Sequence, residues 1–201
     1  AWDEVWRPQA LHSWRDYQLP ENIEMDTANR SRGFPYENAN VHDSAYMDGK
    51  TTLKALADLR KLKDDGNPFF LAVGFLKPHL PFNAPSKYWD MYDSSRIALP
   101  ANYLRPESTP DQAFHESGEL RAYGGVPKKG PVSAAMANQL ILGYYACVSY
   151  TDAQIGMFMD ELDILTLENN TIVVLLGDHG WNLGDLIMWC KHCNFESSLH
   201  V

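Results

Sequence analysis

The sequence predicts an α/β layered fold, and three observations carry that expectation. Thr171-Ile172-Val173-Val174-Leu175-Leu176-Gly177 is an unbroken apolar, β-branched run closed by glycine, which reads as a strand buried on both faces. Phe69-Phe70-Leu71-Ala72-Val73-Gly74-Phe75 is a second run of the same kind. Each run follows a segment of helical periodicity, and helix followed by buried strand is the grammar of a layered sheet.

Residues 1–45 are rich in aromatic, Pro, Asn and Arg residues without a sustained period. Trp2, Trp6, Trp14, Tyr17, Phe34 and Tyr36 suggest loops or short elements pinned by rings on a larger body. In the segment 46–82, Asp48-Gly49-Lys50-Thr51-Thr52 leads into Leu53, Leu56, Ala57, Arg60 and Leu62, the spacing of an amphipathic helix. Asp64-Asp65-Gly66-Asn67-Pro68 stops it. After the strand comes Lys77-Pro78-His79-Leu80-Pro81-Phe82, where prolines on either side of His79 stiffen the backbone that presents the imidazole. A histidine merely packed under a loop is the plain alternative. Residues 83–131 are Pro-rich and irregular, and long crossings of this kind are often functional; this segment reads as substrate rim and edge.

Within 132–201 a helical pattern runs from Val132 to about Leu165. Met136, Leu140, Tyr144, Val148, Ile155, Met159 and Leu162 form an apolar stripe expected in the core, with Asp160, Glu161 and Asp163 on the solvated side. The run exceeds the usual length of one globular helix, so a bend or break is expected at Gly143 or at Thr151-Asp152. Just past the 171–177 run stand Asp178-His179-Gly180, where open α/β sheets bind ligands. A carboxylate and an imidazole there suit convergence on one ion from a loop; an Asp-started turn is the plain alternative. Lys191 follows by a short loop and sits between Trp189 and Phe195. It reads either as a solvated surface charge or as a point-charge clamp for a tetrahedral anion.

The formal charge of −9 argues against nucleic acid or an anionic membrane as partner. It does not exclude an anionic substrate, because a bound metal and a few cations override the global field. Hydrophobic residues make up 45%, so disorder is not expected. No run approaches the ~18 apolar residues of a membrane span, and the first residues lack the regions of a signal peptide. The three cysteines, Cys147, Cys190 and Cys193, do not form a disulfide framework. Cys190-Lys191-His192-Cys193 has zinc-like spacing without an evident second ligand pair, and ordinary thiols beside a site are the simpler reading. Starting without Met and lacking a closing element, the sequence reads as an excerpt.

Four strings, in this order, carry a resemblance: Lys77-Pro-His-Leu-Pro-Phe82, Gly143-Tyr-Tyr-Ala-Cys-Val-Ser-Tyr-Thr-Asp152, Gly177-Asp-His-Gly-Trp-Asn-Leu-Gly184 and Trp189-Cys-Lys-His-Cys-Asn-Phe195. Over roughly residues 45–201 the chain resembles the type I sulfatases, and within them the iduronate-2-sulfatase-like branch. The resemblance implies an alkaline-phosphatase-like α/β fold, a central mixed and mostly parallel sheet flanked by helices, here incomplete. It further implies a calcium ion and hydrolysis of a sulfate ester on a sugar or glycosaminoglycan-like substrate. Carried across, Asp178 and His179 match the later pair of the calcium site, and Lys191 the sulfate-binding lysine. His79 matches the histidine beside the ester, with Lys77 next to it as a further substrate-binding candidate.

Elementary chemistry agrees with those roles. A hard dication favours carboxylate oxygen and polarises sulfate oxygens. An ammonium neutralises charge on non-bridging oxygens, and an imidazole, ordinarily titrating near about 6.5, can protonate a departing alkoxide. Two departures matter. The family nucleophile is a formylglycine made within Cys/Ser-x-Pro-x-Arg, and the nearest string, Ser108-Thr109-Pro110-Asp111-Gln112, lacks the arginine. The early Asp-Asp calcium ligands and the Lys/His cluster are missing too, and Leu186 stands where relatives usually carry His. The expectation is therefore a sulfatase portion, inactive alone, whose partner is the missing N-terminal part and whose compartment is secreted, periplasmic or lysosomal. Two rivals are a phosphodiester or phosphonate hydrolase of the same superfamily and a non-catalytic glycan-binding module.

Overall fold

The computed structural model describes residues 3–10, 13–28 and 32–200; Trp2 lies outside them. In chain order the elements are α1 (Pro20–Ala28), β1 (Tyr36–Glu37), α2 (Met47–Asp65), β2 (Phe82–Asn83), α3 (Ser86–Trp89), α4 (Gly118–Arg121), α5 (Ala134–Ile164), β3 (Asn182–Leu183), β4 (Trp189–Cys190) and α6 (Glu196–Leu199). The molecule is mixed α/β. β1 and β2 pair in parallel, Tyr36 opposite Phe82, and β3 and β4 pair antiparallel, Asn182 opposite Cys190.

α2 ends where the sequence predicts. Gly66 takes φ 67°, and its N–H bonds back to the Lys63 carbonyl at 3.2 Å, the left-handed stop that glycine adopts without a Cβ penalty. α5 starts at Ser133, whose hydroxyl accepts from the Met136 N–H at 3.2 Å, a side-chain cap worth about 1 kcal/mol. It then runs 31 residues without interruption, so the expected break at Gly143 or Thr151-Asp152 is absent. Gly143 serves close packing instead: a Cβ there would lie 2.8 Å from the Trp89 ring and 3.0 Å from Phe82 Cβ.

The core forms around α5, against α2, α3 and β2. Leu140, Ala146, Cys147 and Tyr150 of α5 are fully buried with Phe82, Trp89, Tyr46 and Leu80, each large apolar side chain contributing about 1.5–3 kcal/mol. The predicted stripe is half right. Steps of four residues advance about 40° around a helix, so Leu140 and Leu162 are buried whereas Val148 and Met159 have rotated into solvent. Glu161 is also not on the solvated side: it is buried, and its carboxylate takes two hydrogen bonds from Arg60 of α2, at 2.7 and 2.8 Å. Of the lead-in aromatics, Tyr17 is buried and donates to the Phe34 carbonyl at 2.6 Å, while Trp6 and Trp14 stand nearly half exposed.

The two runs predicted as doubly buried strands differ most from expectation. Neither joins a ladder among the described residues. Residues 69–75 alternate half-buried and exposed; Phe69 and Leu71 pack on Leu59 and Leu162 while Phe70 faces solvent. In 171–177 nearly every side chain is exposed, Ile172 by 92%. Apolar composition marks a segment as fit for a sheet interior, but a strand is made only by neighbours that take its backbone hydrogen bonds.

Candidate anion-binding site

His79 is presented by a loop held from three sides. Asp48, in the first turn of α2, accepts from the backbone N–H groups of Leu76 and Lys77 at 2.9 and 2.8 Å. Thr151 of α5 donates to the Lys77 carbonyl at 3.3 Å. From within, the His79 N–H bonds to Leu76 O at 2.9 Å, and the Lys77 ammonium donates to His79 O and Pro81 O at 3.2 and 2.5 Å. Burial raises the Asp48 carboxyl against the pull of its two N–H donors, and burial lowers the Lys77 ammonium. Lys77 thus sits beneath the loop, bonded to its carbonyls.

Lys191 is presented by a strained loop. Leu186, Ile187, Cys190 and His192 all take left-handed φ, between 53° and 75°, which is costly for non-glycine residues and clusters at functional sites. Asn182 supports this loop from below, its amide donating to Cys190 O at 2.9 Å and to Ser198 Oγ at 2.6 Å. Cys190 is buried, and burial pushes its thiol up; Cys193 lies 3.0 Å from Ser198 Oγ.

The structure brings His79 and Lys191 together on one carboxylate. Glu119 Oε1 lies 2.9 Å from His79 Nε2 and 3.4 Å from Lys191 Nζ, and Glu119 Oε2 is 3.6 Å from His192 Nε2. α4 reaches this place because the backbone N–H of Trp189 donates to the hydroxyl of Ser117 at 3.3 Å. Burial alone would push the Glu119 carboxyl up, but the hydrogen bond and charge of His79, with those of Lys191, outweigh it and pull the group down to about 2. The other ring nitrogen of His79, Nδ1, is 2.6 Å from Leu80 O. A carbonyl and an ionised carboxylate only accept, so each ring nitrogen of His79 faces an acceptor.

Trp181 forms the floor. Lys191 Nζ stands 4.7 Å over its ring, and the rings of His79 and His179 lie 5.5 and 6.2 Å from it. An ammonium over an indole face is held electrostatically while its N–H groups stay free for an anion. His179 joins the cluster only across this ring, its Nδ1 lying 2.8 Å from Gly180 O. Asp178 is at the rim, 91% exposed, with Oδ2 3.7 Å from His179 Nε2. Among the described residues no three His, Cys, Asp or Glu side chains converge as a metal cluster. Calcium takes about six to eight oxygen ligands; Asp178 offers carboxylate oxygens of that kind, and the imidazole of His179 is a softer donor beside it.

Sequence reasoning missed Glu119, His192 and Trp181 as parts of this cluster. Trp181 could have been found, because it lies two residues beyond His179. Glu119 gives no signal of its own: it stands 72 positions from Lys191 in a segment without periodicity.

The sulfatase family model matches residues 11–199. Human iduronate 2-sulfatase is 34% identical over 173 residues, covering 83% of this chain and 32% of that protein. A sulfatase of Formosa agariphila is 34% identical over 144 residues, covering 68% of this chain and 26% of its own length. A solved structure from Bacteroides fragilis, assigned to the sulfatases, superposes with a TM-score of 0.54 at 25% identity, over 76% of this chain and 29% of that one. The chain therefore spans about a quarter to a third of the length of these relatives. No helix among the described residues is long and apolar enough to cross a membrane. With most of its length under one family model, and with a relative this similar over most of its residues, the chain belongs to the sulfatase family.

Proposed function

We propose that this chain carries the anion clamp of a sulfuric ester hydrolase acting on sulfated carbohydrates. One observation supports the reading above the others: the Nε2 of His79 and the Nζ of Lys191 meet on a single carboxylate oxygen over Trp181. Two nitrogen donors, one of them an ammonium, converging on one point from different loops is the layout that binds a tetrahedral oxyanion.

In this reading Lys191 binds the non-bridging oxygens of the sulfate and offsets the charge that grows on them. His79 donates its Nε2 proton to the leaving oxygen as the S–O bond to the sugar breaks and the electron pair passes to that oxygen. Lys77 holds the His79 loop through its carbonyls, and Asp178 with His179 contributes one edge of a calcium site, whose charge would add to that of Lys191. The nucleophile has no counterpart here, since Cys/Ser-x-Pro-x-Arg does not occur in the sequence. We place it, with the remaining calcium ligands, in sequence outside these 201 residues. A secreted, periplasmic or lysosomal compartment goes with such substrates.

The test has two arms. Turnover of an aryl sulfate by this chain with calcium should be negligible, and robust hydrolysis would refute the missing-nucleophile argument. Binding of a sulfate ester should be lost in Lys191→Ala and weakened in Asp178→Asn; glycan binding indifferent to both would favour a non-catalytic carbohydrate module.

A further inference from the structure

Resting on the reading of His79 and Lys191 as an anion clamp, we infer that Glu119 is an internal counter-anion: its carboxylate fills the clamp, and an incoming sulfate must displace it.

The donor that the clamp reading assigns to His79 is the Nε2 N–H, and Nε2 faces Glu119 Oε1 at 2.9 Å, while Nδ1 lies 2.6 Å from Leu80 O. A single N–H cannot serve both the carboxylate and a substrate oxygen, so the contact with Glu119 also blocks proton donation to a substrate. Lys191, with three N–H groups, is shared less strictly; its 3.4 Å contact to the same oxygen stretches rather than excludes.

The second oxygen points the same way. Glu119 Oε2 is buried and has no hydrogen-bond partner among the described residues, with His192 Nε2 3.6 Å away. Carboxylates fixed permanently in a protein interior have their acceptor sites filled. One held by a single close hydrogen bond, with half its capacity open, is built to leave. Its carrier suits that motion. α4 is a four-residue turn entered through Ser117 at φ 53°, and such special backbone positions accompany switching segments. The groups facing His79 are Glu119 from α4, Lys191 and His192 from the loop after β4, and His179 across the Trp181 ring; the Lys77 ammonium lies behind it on Pro81 O.

The experiment titrates inorganic sulfate into the full chain at fixed pH and ionic strength, by calorimetry and by the ring resonances of His79. Removing a negative charge this close to the site should tighten binding at least about tenfold in Glu119→Gln. Glu119→Asp, which keeps the charge on a shorter arm, should fall between the two and serves if the Gln variant does not fold. Equal or weaker sulfate binding by both variants would overturn the inference, provided the parent chain binds sulfate and Lys191→Ala does not. If neither the parent nor Glu119→Gln binds sulfate, the clamp reading itself falls and takes this inference with it.

Discussion

The carboxylate of Asp48, in the first turn of α2, grips the backbone N–H groups of Leu76 and Lys77 at 2.9 and 2.8 Å. The helix thereby sets the height at which His79 leaves the body of the protein. The site rests on a buried anchor rather than on its loop alone.

That anchor is testable. Asp48→Ala leaves two backbone N–H groups without their acceptor, at a cost of about 1–3 kcal/mol each in a buried setting. We expect a lowered denaturation midpoint, and faster amide exchange at Leu76 and Lys77 than elsewhere in the loop. Asp48→Asn, which keeps one acceptor, should lose less. Unchanged exchange at those two amides would show that the loop is held by other means.

Glu119 gives a pH signature. Its folded carboxyl, pulled to about 2, lies below the ordinary 4.5. A depressed carboxyl binds fewer protons folded than unfolded, so its stabilisation is present above about pH 4.5 and is lost as the pH falls towards 2. The parent chain should exceed Glu119→Gln by about 1–3 kcal/mol at neutral pH, the range for hydrogen bonds to charged groups. The gap should close as the pH is lowered through that window. A gap independent of pH would mean that the side chain acts by packing, not by charge.

The exposed apolar runs predict an asymmetry opposite to their composition. Leu59 is fully buried and Val174 is 70% exposed. Leu59→Ala should cost about 2–5 kcal/mol, as large-to-small changes in a core do, whereas Val174→Ala should stay within about 0.5 kcal/mol. Chemical denaturation of each variant, at two protein concentrations, checks both. A cost for Val174→Ala that grows with concentration would show 171–177 covered by another copy.

This contrast marks what the residues alone could disclose. Helix α2 was legible because its stop, Gly66 before Asn67-Pro68, is local chemistry, and α5 because its period persists over 31 residues. His79 and Lys191, which the structure brings onto one carboxylate, could be singled out in the sequence because short motifs carry them, with prolines and aromatic residues in fixed order. What stayed hidden depends on partners distant in sequence. Whether 171–177 is covered is decided by other segments, Glu161 is buried by Arg60 from another helix, and Glu119 reaches the clamp only through Ser117 and Trp189.

Lys77 separates support from contact. Its ammonium bonds to His79 O and Pro81 O, and burial lowers its proton affinity. Lys77→Met keeps most of the packing and removes both hydrogen bonds, so the chain should lose about 1–3 kcal/mol while two carbonyls go unpaired. Sulfate binding should weaken only in proportion to the displacement of His79, visible as a change in its ring resonances. A direct sulfate contact predicts the reverse: binding abolished, stability nearly intact, and the His79 signals where they were. Paired denaturation and sulfate titrations on this one variant decide whether Lys77 belongs to the clamp or to the frame that carries it.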